Sequence, residues 1–323
     1  MDIKVGIIMD PISAIEPGHD STLAIMLALQ QRGAAIWYMQ PEDVAFDGDA
    51  DQTLGRMRPV TVQDDADDWY QWGGDAQWLP LTNLDAVLQR RDPPFDMNYI
   101  YQTYFLESAR QQGGLTVIND PVALRSCNEK YAITDFLDVA PPLLISANTA
   151  QLQAFHRRHE TCVFKPLDGM GGADCYKISP GESNFNVICE HLTRRGEVPI
   201  MAQRFIPEIA DGDKRLFLIN GEPLDHVLVR TPPEGDVRAN MAVGGTTTAA
   251  PLSDADRRIA RAVGPKLVER GVMIAGLDVI GEYLTEVNIT SPTGLRELHH
   301  HTGSDPSLIV ADAVLAKLSS RQP

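Results

Sequence analysis

The chain opens strand, helix, strand, and no other feature restricts its fold as much. Ile3 to Met9 is an apolar run of strand length. Asp20 or Ser21 can cap a helix through Leu23, Ala24, Leu27 and Ala28, which Gly33 ends. Ala35 to Met39 is the next strand. A β-α-β opening of this kind predicts an α/β domain built on a parallel sheet. It is not a dinucleotide-binding turn, because Asp10-Pro11-Ile12 stands where a glycine-rich turn is required. Residues 41–80 are polar, acidic and turn-rich, and read as a surface excursion with short strands. A strand at Leu84 to Leu88, a helix at Tyr99 to Gln112 and a strand at Leu115 to Ile118 complete a first domain ending near Pro121.

The rest divides into two further units. The second holds a helix near Asn128 to Asp138, a Pro141-Pro142 break and a helix near Thr149 to His159. A strand at Cys162 to Lys165, a glycine loop and a strand at Ala173 to Ile178 follow. From Met201 the pattern turns antiparallel, with strands at Met201 to Phe205, Arg215 to Ile219 and Leu224 to Arg230. Ser253 and Asp256 form a capping box for a helix carrying Ile259, Ala262, Val263 and Leu267 on one face, with Gly271 as its stop. A last helix lies near Ser307 to Leu318. The expected units are 1–123, 124–200 and 201–323.

With 323 residues the chain is long for one core, which agrees with several packed subdomains. The formal net charge of -16 argues against a general nucleic-acid or anionic-membrane surface, though a local Lys/Arg cluster can still bind an anion. Cys127, Cys162, Cys175 and Cys189 show no paired spacing and read as reduced thiols. The N-terminus begins a strand rather than a signal peptide, and no apolar run approaches membrane-spanning length, so a cytoplasmic location is expected.

Chemistry concentrates in Gly276 to Ile289. Glu286 and Asn288 share one strand face while Val287 and Ile289 share the other. Gly281-Glu282 reads as a hairpin. A three-residue loop, Gly281 to Tyr283, puts Asp278 opposite Glu286; a two-residue turn puts Asp278 on the wrong face. Two carboxylates and an amide oxygen suit a hard cation such as Mg²⁺, against the plainer reading of a solvated polar strand face.

Lys165-Pro166-Leu167-Asp168-Gly169-Met170-Gly171-Gly172 joins two strands, and its glycines allow backbone N–H groups close to phosphate oxygens. No Gly-Lys-Ser/Thr follows, so it is not a P-loop; taken alone it reads more readily as a plain tight turn than as a phosphate loop. Lys130 is a second candidate cation. Arg215 and Arg230 end or open strands, and Arg238 and Asn240 lie in a long segment, 231–250, that reads as a loop. Guanidinium groups suit bidentate binding of carboxylate and phosphate. His299-His300-His301 is not a metal site by spacing, since adjacent side chains diverge on either a strand or a helix.

Taken together these motifs resemble those of the bacterial glutathione synthetases, a family of ATP-grasp ligases. The resemblance runs nearly end to end. It includes Ile8-Met9-Asp10-Pro11, Arg91-Asp92-Pro93-Pro94-Phe95-Asp96, Cys127-Asn128-Glu129-Lys130, Lys165 to Gly172, Asp211 to Arg215, Gly276-Leu277-Asp278 and Thr285 to Thr293. The order and separation of these strings are more specific than any one of them.

The resemblance implies an ATP-grasp fold: an N-terminal parallel α/β domain plus two α+β subdomains clasping ATP. It implies ligation of γ-glutamylcysteine and glycine through an acyl phosphate, giving ADP and phosphate. By position, Lys130 and Lys165 contact ATP phosphates and Gly169, Met170, Gly171 and Gly172 fold over them. Gln203, Arg204, Phe205 and Ile206 give backbone contacts to adenine, and Asp213 lies near the ribose. Asp278, Glu286 and Asn288 hold Mg²⁺, or Mn²⁺. Arg215 and Arg230 stabilise the transferring phosphoryl group. Arg238 and Asn240 sit on a lid over the substrate, Ser291 and Thr293 lie near the γ-glutamyl end, and Asp10 and Arg90 face the substrate cleft. A homotetramer is implied as well. Two alternatives stand beside this: a ligase for another peptide substrate, and a nucleotide sensor without catalysis. Retention of Arg215, Arg230 and the three oxygen ligands counts against the second.

Overall fold

The computed structural model describes residues 3–169, 171–233 and 245–320. Three sheets organise it. The first contains β1 (Lys4–Ile8), β2 (Ala35–Met39), β3 (Val44–Asp47), β4 (Gln52–Val62), β5 (Tyr70–Trp72), β6 (Gln77–Pro80), β7 (Ala86–Gln89) and β8 (Thr116–Ile118). Its spine runs β3-β4-β2-β1-β7-β8. β2, β1, β7 and β8 are mutually parallel. The parallel sheet expected from the opening is therefore present, with α1 (Ser21–Gln31) as its first crossover, capped by the Asp20 side chain on the Leu23 N–H.

The surface excursion expected over 41–80 is more ordered than its composition suggests. β4 spans eleven residues and pairs with β2, β3, β5 and β6. Thr53, Gly55, Met57, Val60 and Val62 are buried along it, so the buried set begins with two residues that are not large and apolar, and the alternation breaks at Pro59. That is why hydrophobicity alone concealed the strand.

β9 (Leu143–Ser146), β10 (Cys162–Pro166), β11 (Tyr176–Ile178) and β12 (Ile200–Arg204) form the second sheet, order β11-β10-β12-β9. The strand read as the start of the C-terminal antiparallel set is thus β12, which pairs with β10 and β9. We propose on this basis that the second domain boundary falls after Arg204 rather than at Ile200. The helix expected over Asn128 to Asp138 is a 3-10 segment, Tyr131–Phe136; a short helix α3 (Pro121–Ser126) precedes it, capped by Asp120.

The third sheet holds β13 (Asp213–Ile219), β14 (Glu222–Pro223), β15 (His226–Thr231), β16 (Thr246–Pro251), β17 (Ile274–Ile280) and β18 (Tyr283–Asn288), order β16-β15-β13-β17-β18 with β14 on β13. Thr246–Pro251, expected to be the end of a loop, is a strand pairing with β15. The remaining helices are α2 (Met97–Gln111), α4 (Thr149–His159), α5 (Phe185–Leu192), α6 (Asp254–Glu269), α7 (Leu295–Thr302) and α8 (Pro306–Ser319). The Ser253–Asp256 capping box of α6 is formed as expected.

The first and third sheets are joined by packing and by buried polar contacts. Val310, Ala311 and Val314 of α8 share a core with Leu23, Met26 and Leu29 of α1. The Asn119 side chain, just after β8, donates to Ile274 O (2.8 Å) and Ile289 O (2.7 Å) and accepts from Met273 N (2.8 Å) and Ile274 N (2.9 Å). Asn119 therefore anchors the start of β17 and the exit of β18 to the first domain.

Candidate active site

Strand register in the third sheet sets out a ladder of charge. β13 lies between β15 and β17, with Asp213 opposite Arg230 and Arg215 opposite Asp278. On the far side of β17, Asp278 is opposite Glu286 and Gly276 is opposite Asn288. Directly opposed residues share a face, and residues two apart along a strand do also, so all six polar side chains project to one side.

The route to this register differs from the expected one. The hairpin turn is the two-residue Gly281-Glu282, with Ile280 paired to Tyr283. A bulge then restores the pairing: Val279 opposes Leu284, Asp278 opposes Glu286, and Thr285 is the extra residue. The bulged Thr285 is not idle, since its carbonyl accepts from Lys165 Nζ (3.4 Å) and its hydroxyl donates to Asp278 O (3.1 Å).

The charges are paired closely. Arg215 Nε and Nη2 donate to the two Asp278 oxygens at 2.6 and 3.1 Å. Arg230 Nε donates to Asp213 (2.7 Å), and its Nη2 lies 3.1 Å from Asp278 Oδ2. A Cβ at Gly276 would come within 2.7 Å of Arg215 Cδ, so glycine is needed there for the arginine to lie across β17. Burial works against the Asp278 carboxylate, but the two guanidiniums outweigh it and hold its pKa below the usual range. Asp213, buried and beside a second carboxylate, is pushed up to about 6 despite Arg230.

Lys130 and Lys165 face this ladder from the second unit. Lys130 Nζ lies 3.1 Å from Glu286 and also donates to Gly169 O, at the start of the glycine loop. Burial opposes its charge, yet Glu286 prevails and raises the Lys130 pKa. Burial lowers that of Lys165. Glu129 docks the segment against β18: its backbone carbonyl accepts from Val287 N (2.9 Å), and its Oε1 accepts from Ile289 N, Thr290 N and the Thr290 hydroxyl.

These residues line one cleft of about 340 Å³ between the second and third sheets. Val163, Phe205, Ile206, Ile209 and Ile280 make an apolar end, beside Gln203 and Arg204. Asp92, Pro93 and Ser291 to Thr293 make the end nearest the first domain. Of the residues singled out in sequence, Lys130, Lys165, Gly169, Gly171, Gly172, Gln203, Arg204, Phe205, Ile206, Asp213, Arg215, Arg230, Asp278, Glu286, Asn288, Ser291 and Thr293 all line it.

Met170, Arg238 and Asn240 fall outside the described residues. Asp10 and Arg90 do not themselves line the cleft, but each bonds a residue that does. Arg90 is buried and donates to Thr22 Oγ1 (3.1 Å) and Pro292 O (3.0 Å). Asp10 accepts the Asp92 N–H (2.9 Å). The Asp213 carboxylate lines the cleft and is paired through Oδ1 with Arg230. His299, His300 and His301 are exposed on α7, away from this cleft. Sequence reasoning passed over Asp92, Glu129 and Asn119. The first two lie inside the strings Asp92-Pro93-Pro94 and Asn128-Glu129-Lys130.

A family model described as prokaryotic glutathione synthetase, N-terminal domain, matches residues 3–125, and one described as prokaryotic glutathione synthetase, ATP-grasp domain, matches residues 129–303. The glutathione synthetase of Pseudomonas aeruginosa is 45% identical over 321 residues, 99% of this chain and 100% of the relative. That of Escherichia coli O127:H6 is 43% identical over 320 residues, again 99% and 100%. Among solved structures, the D-cycloserine synthetase DcsG superposes with a TM-score of 0.69 at 15% identity, covering 98% of this chain and 99% of that one. The ATP-grasp ligase PsnB gives 0.63 at 16%, with the same coverage. Fold and cleft are those of an ATP-grasp enzyme, an ATP-dependent carboxylate–amine ligase. Within that class the chain belongs to the prokaryotic glutathione synthetase family.

Proposed function

We propose that this protein condenses γ-glutamylcysteine with glycine at the cost of ATP, forming glutathione, ADP and phosphate, and that the cleft residues act as follows. The carrying observation is that Arg215 and Arg230 converge on Asp278, opposite Glu286 and within reach of two lysines from the facing unit. Such a site can hold a highly charged anion, and can release its cations to that anion because each already has a partner to exchange.

ATP lies between the sheets, its adenine at the apolar end along Gln203 to Ile206 and its phosphates under the glycine loop. Lys130 and Lys165 bind phosphate oxygens. Arg230, steadied by Asp213, and Arg215 face the phosphoryl group in transfer. There the cysteinyl carboxylate oxygen attacks the γ-phosphorus and the bond to the β-phosphate oxygen breaks. The two guanidiniums stabilise charge that builds on the equatorial oxygens. The free amine of glycine then attacks the acyl carbon, and phosphate leaves. Water must be excluded from the acyl phosphate; the segment carrying Arg238 and Asn240 is assigned this covering role from the family resemblance.

Asp278, Glu286 and Asn288 fit Mg²⁺. They are oxygen donors at neighbouring register positions on one cleft wall. Among the described residues no three His, Cys, Asp or Glu side chains gather as a closed metal cage. Mg²⁺ is usually held by one or two carboxylates and keeps phosphate oxygens and waters among its other ligands. When bound, Mg²⁺ supplies charge neutralisation between the phosphates.

The test is Mg²⁺- and ATP-dependent phosphate release with γ-glutamylcysteine, with and without glycine, with the peptide product weighed by mass spectrometry. Glycine-dependent release with glutathione formed supports the reading; a peptide product only with other substrate pairs overturns it. The assembly proposed from the resemblance is a homotetramer, to be measured by sedimentation. No helix among the described residues is long and apolar enough to cross a membrane.

A further inference from the structure

The first-domain end of the cleft holds a carboxylate that the reaction described above does not use. Parallel strands β1 and β7 are neighbours, and the chain leaves them in opposite directions, toward β2 on one side and β8 on the other. Ligands of open parallel sheets bind in the crevice beyond the carboxyl ends of the strands at such a switch point. Asp10 follows β1 and Asp92 follows β7 there. Asp10 holds the Asp92 backbone N–H at 2.9 Å, and Arg90 holds Pro292 O across the gap at 3.0 Å. The Asp92 side chain is open to the cleft and lines it, with Oδ1 accepting from the Ser291 hydroxyl. The other cleft carboxylates already have a role or a partner: Asp278 and Glu286 are the residues assigned to Mg²⁺, Asp213 is paired with Arg230, and Glu129 accepts from three hydrogen-bond donors. Among the described residues, no Lys, Arg or His nitrogen lies within ion-pair distance of Asp92.

A carboxylate held open in this way calls for a cationic ligand, and the reactants offer few. ATP is anionic. The amine of glycine must be free and aimed at the acyl phosphate, so it cannot be held as an ammonium by a carboxylate. The α-ammonium of the γ-glutamyl group is the remaining cation, and it takes no part in the bond changes. We propose that Asp92 is the specificity residue for the acyl substrate, receiving that α-ammonium between the carboxyl ends of β1 and β7. The inference rests on the peptide-ligase reading above and adds the end from which the dipeptide is measured.

The test compares γ-glutamylcysteine with glutarylcysteine, the same chain with hydrogen in place of the ammonium, in the intact enzyme and in Asp92→Asn. The intact enzyme should prefer the ammonium-bearing substrate by on the order of thirtyfold in kcat/KM, the size of a charge-assisted hydrogen bond. Asp92→Asn should lose about that factor for γ-glutamylcysteine, chiefly in KM, and little for glutarylcysteine. The KM for ATP should stay within about twofold, because Asp92 removes no phosphate contact. Equal use of both substrates by the intact enzyme overturns the proposal without any variant. An equal loss on both in Asp92→Asn overturns it as well, since that is what a merely structural role gives. If the intact enzyme forms no peptide from γ-glutamylcysteine and glycine, the reaction reading itself fails and the inference falls with it.

Discussion

Asn119 offers the most direct measurement of what holds the catalytic hairpin in place. Its side chain makes four hydrogen bonds of 2.7 to 2.9 Å to Met273, Ile274 and Ile289, the backbone that begins β17 and leaves β18. Those strands carry Asp278, Glu286 and Asn288. Asn119→Ala removes all four bonds and leaves their backbone partners buried. At a net value of about 1 kcal/mol per hydrogen bond, the loss is about 4 kcal/mol. Asn119→Asp is nearly isosteric but tests the same bonds differently. It keeps the acceptor toward Met273 and Ile274 and turns a carboxylate oxygen onto two carbonyls. That environment disfavours the ionised form and raises the folded pKa above the unfolded value. The folded chain then holds a proton the unfolded chain has released, so Asn119→Asp loses stability as pH rises through that interval. Urea unfolding of both variants, followed by fluorescence across pH 5 to 8, reads the loss, and activity measured in parallel reads the effect on the hairpin. A loss below about 1 kcal/mol in Asn119→Ala, or an Asn119→Asp protein as stable as the parent at neutral pH, would refute the claim that this side chain joins the first domain to β17 and β18.

Glu286→Gln should lower ligase turnover by about a hundredfold or more with little change in melting temperature, since a neutral amide fills the same space; a variant that keeps full turnover at saturating Mg²⁺ sinks the metal assignment. Asp278→Ala should both abolish turnover and destabilise the fold by about 3 kcal/mol or more, because it leaves Arg215 and Arg230 buried without their shared partner. Arg230→Lys keeps the charge but not the fork that reaches both Asp213 and Asp278, so the turnover number should fall by about a hundredfold while the KM for ATP moves a few-fold at most; the reverse split contradicts its role in phosphoryl transfer. Tyr38, whose hydroxyl accepts from Ile12 N, is raised by burial from 10.0 to about 12. Above pH 10 the unfolded chain therefore releases a proton that the folded chain retains, and stability should fall with rising pH through that window; Tyr38→Phe should flatten this part of the slope in chemical denaturation.

Much of the site was legible without coordinates because its chemistry is local in sequence. The string Gly276 to Ile289 is two strands and a turn, so alternation alone put Glu286 and Asn288 on one face and named the donors. The opening β-α-β and the capping box at Ser253 were readable for the same reason, since both depend on residues a few positions apart. What had to come from the tertiary structure depended on register and on contacts distant in sequence. The turn at Gly281-Glu282 is one residue shorter than expected, and only the bulge at Thr285 returns Asp278 to Glu286; a one-residue shift reverses a strand face, and nothing local fixes whether a bulge compensates it. β12 reads as an antiparallel strand from its own residues, but its partners are β10 and β9, which pattern cannot choose. Asp10 and Arg90, expected to face the substrate cleft, bond Asp92 and Pro292 of its lining, contacts that link positions far apart in the chain. Asp92 and Glu129, passed over in sequence, line the cleft because strand ends and docked segments bring them there. The sequence by itself determined which chemical groups are available and the periods on which they repeat. The tertiary structure decided which of them meet, because opposing charges on β13, β15, β17 and β18 become one site only when strands far apart in the chain align in register.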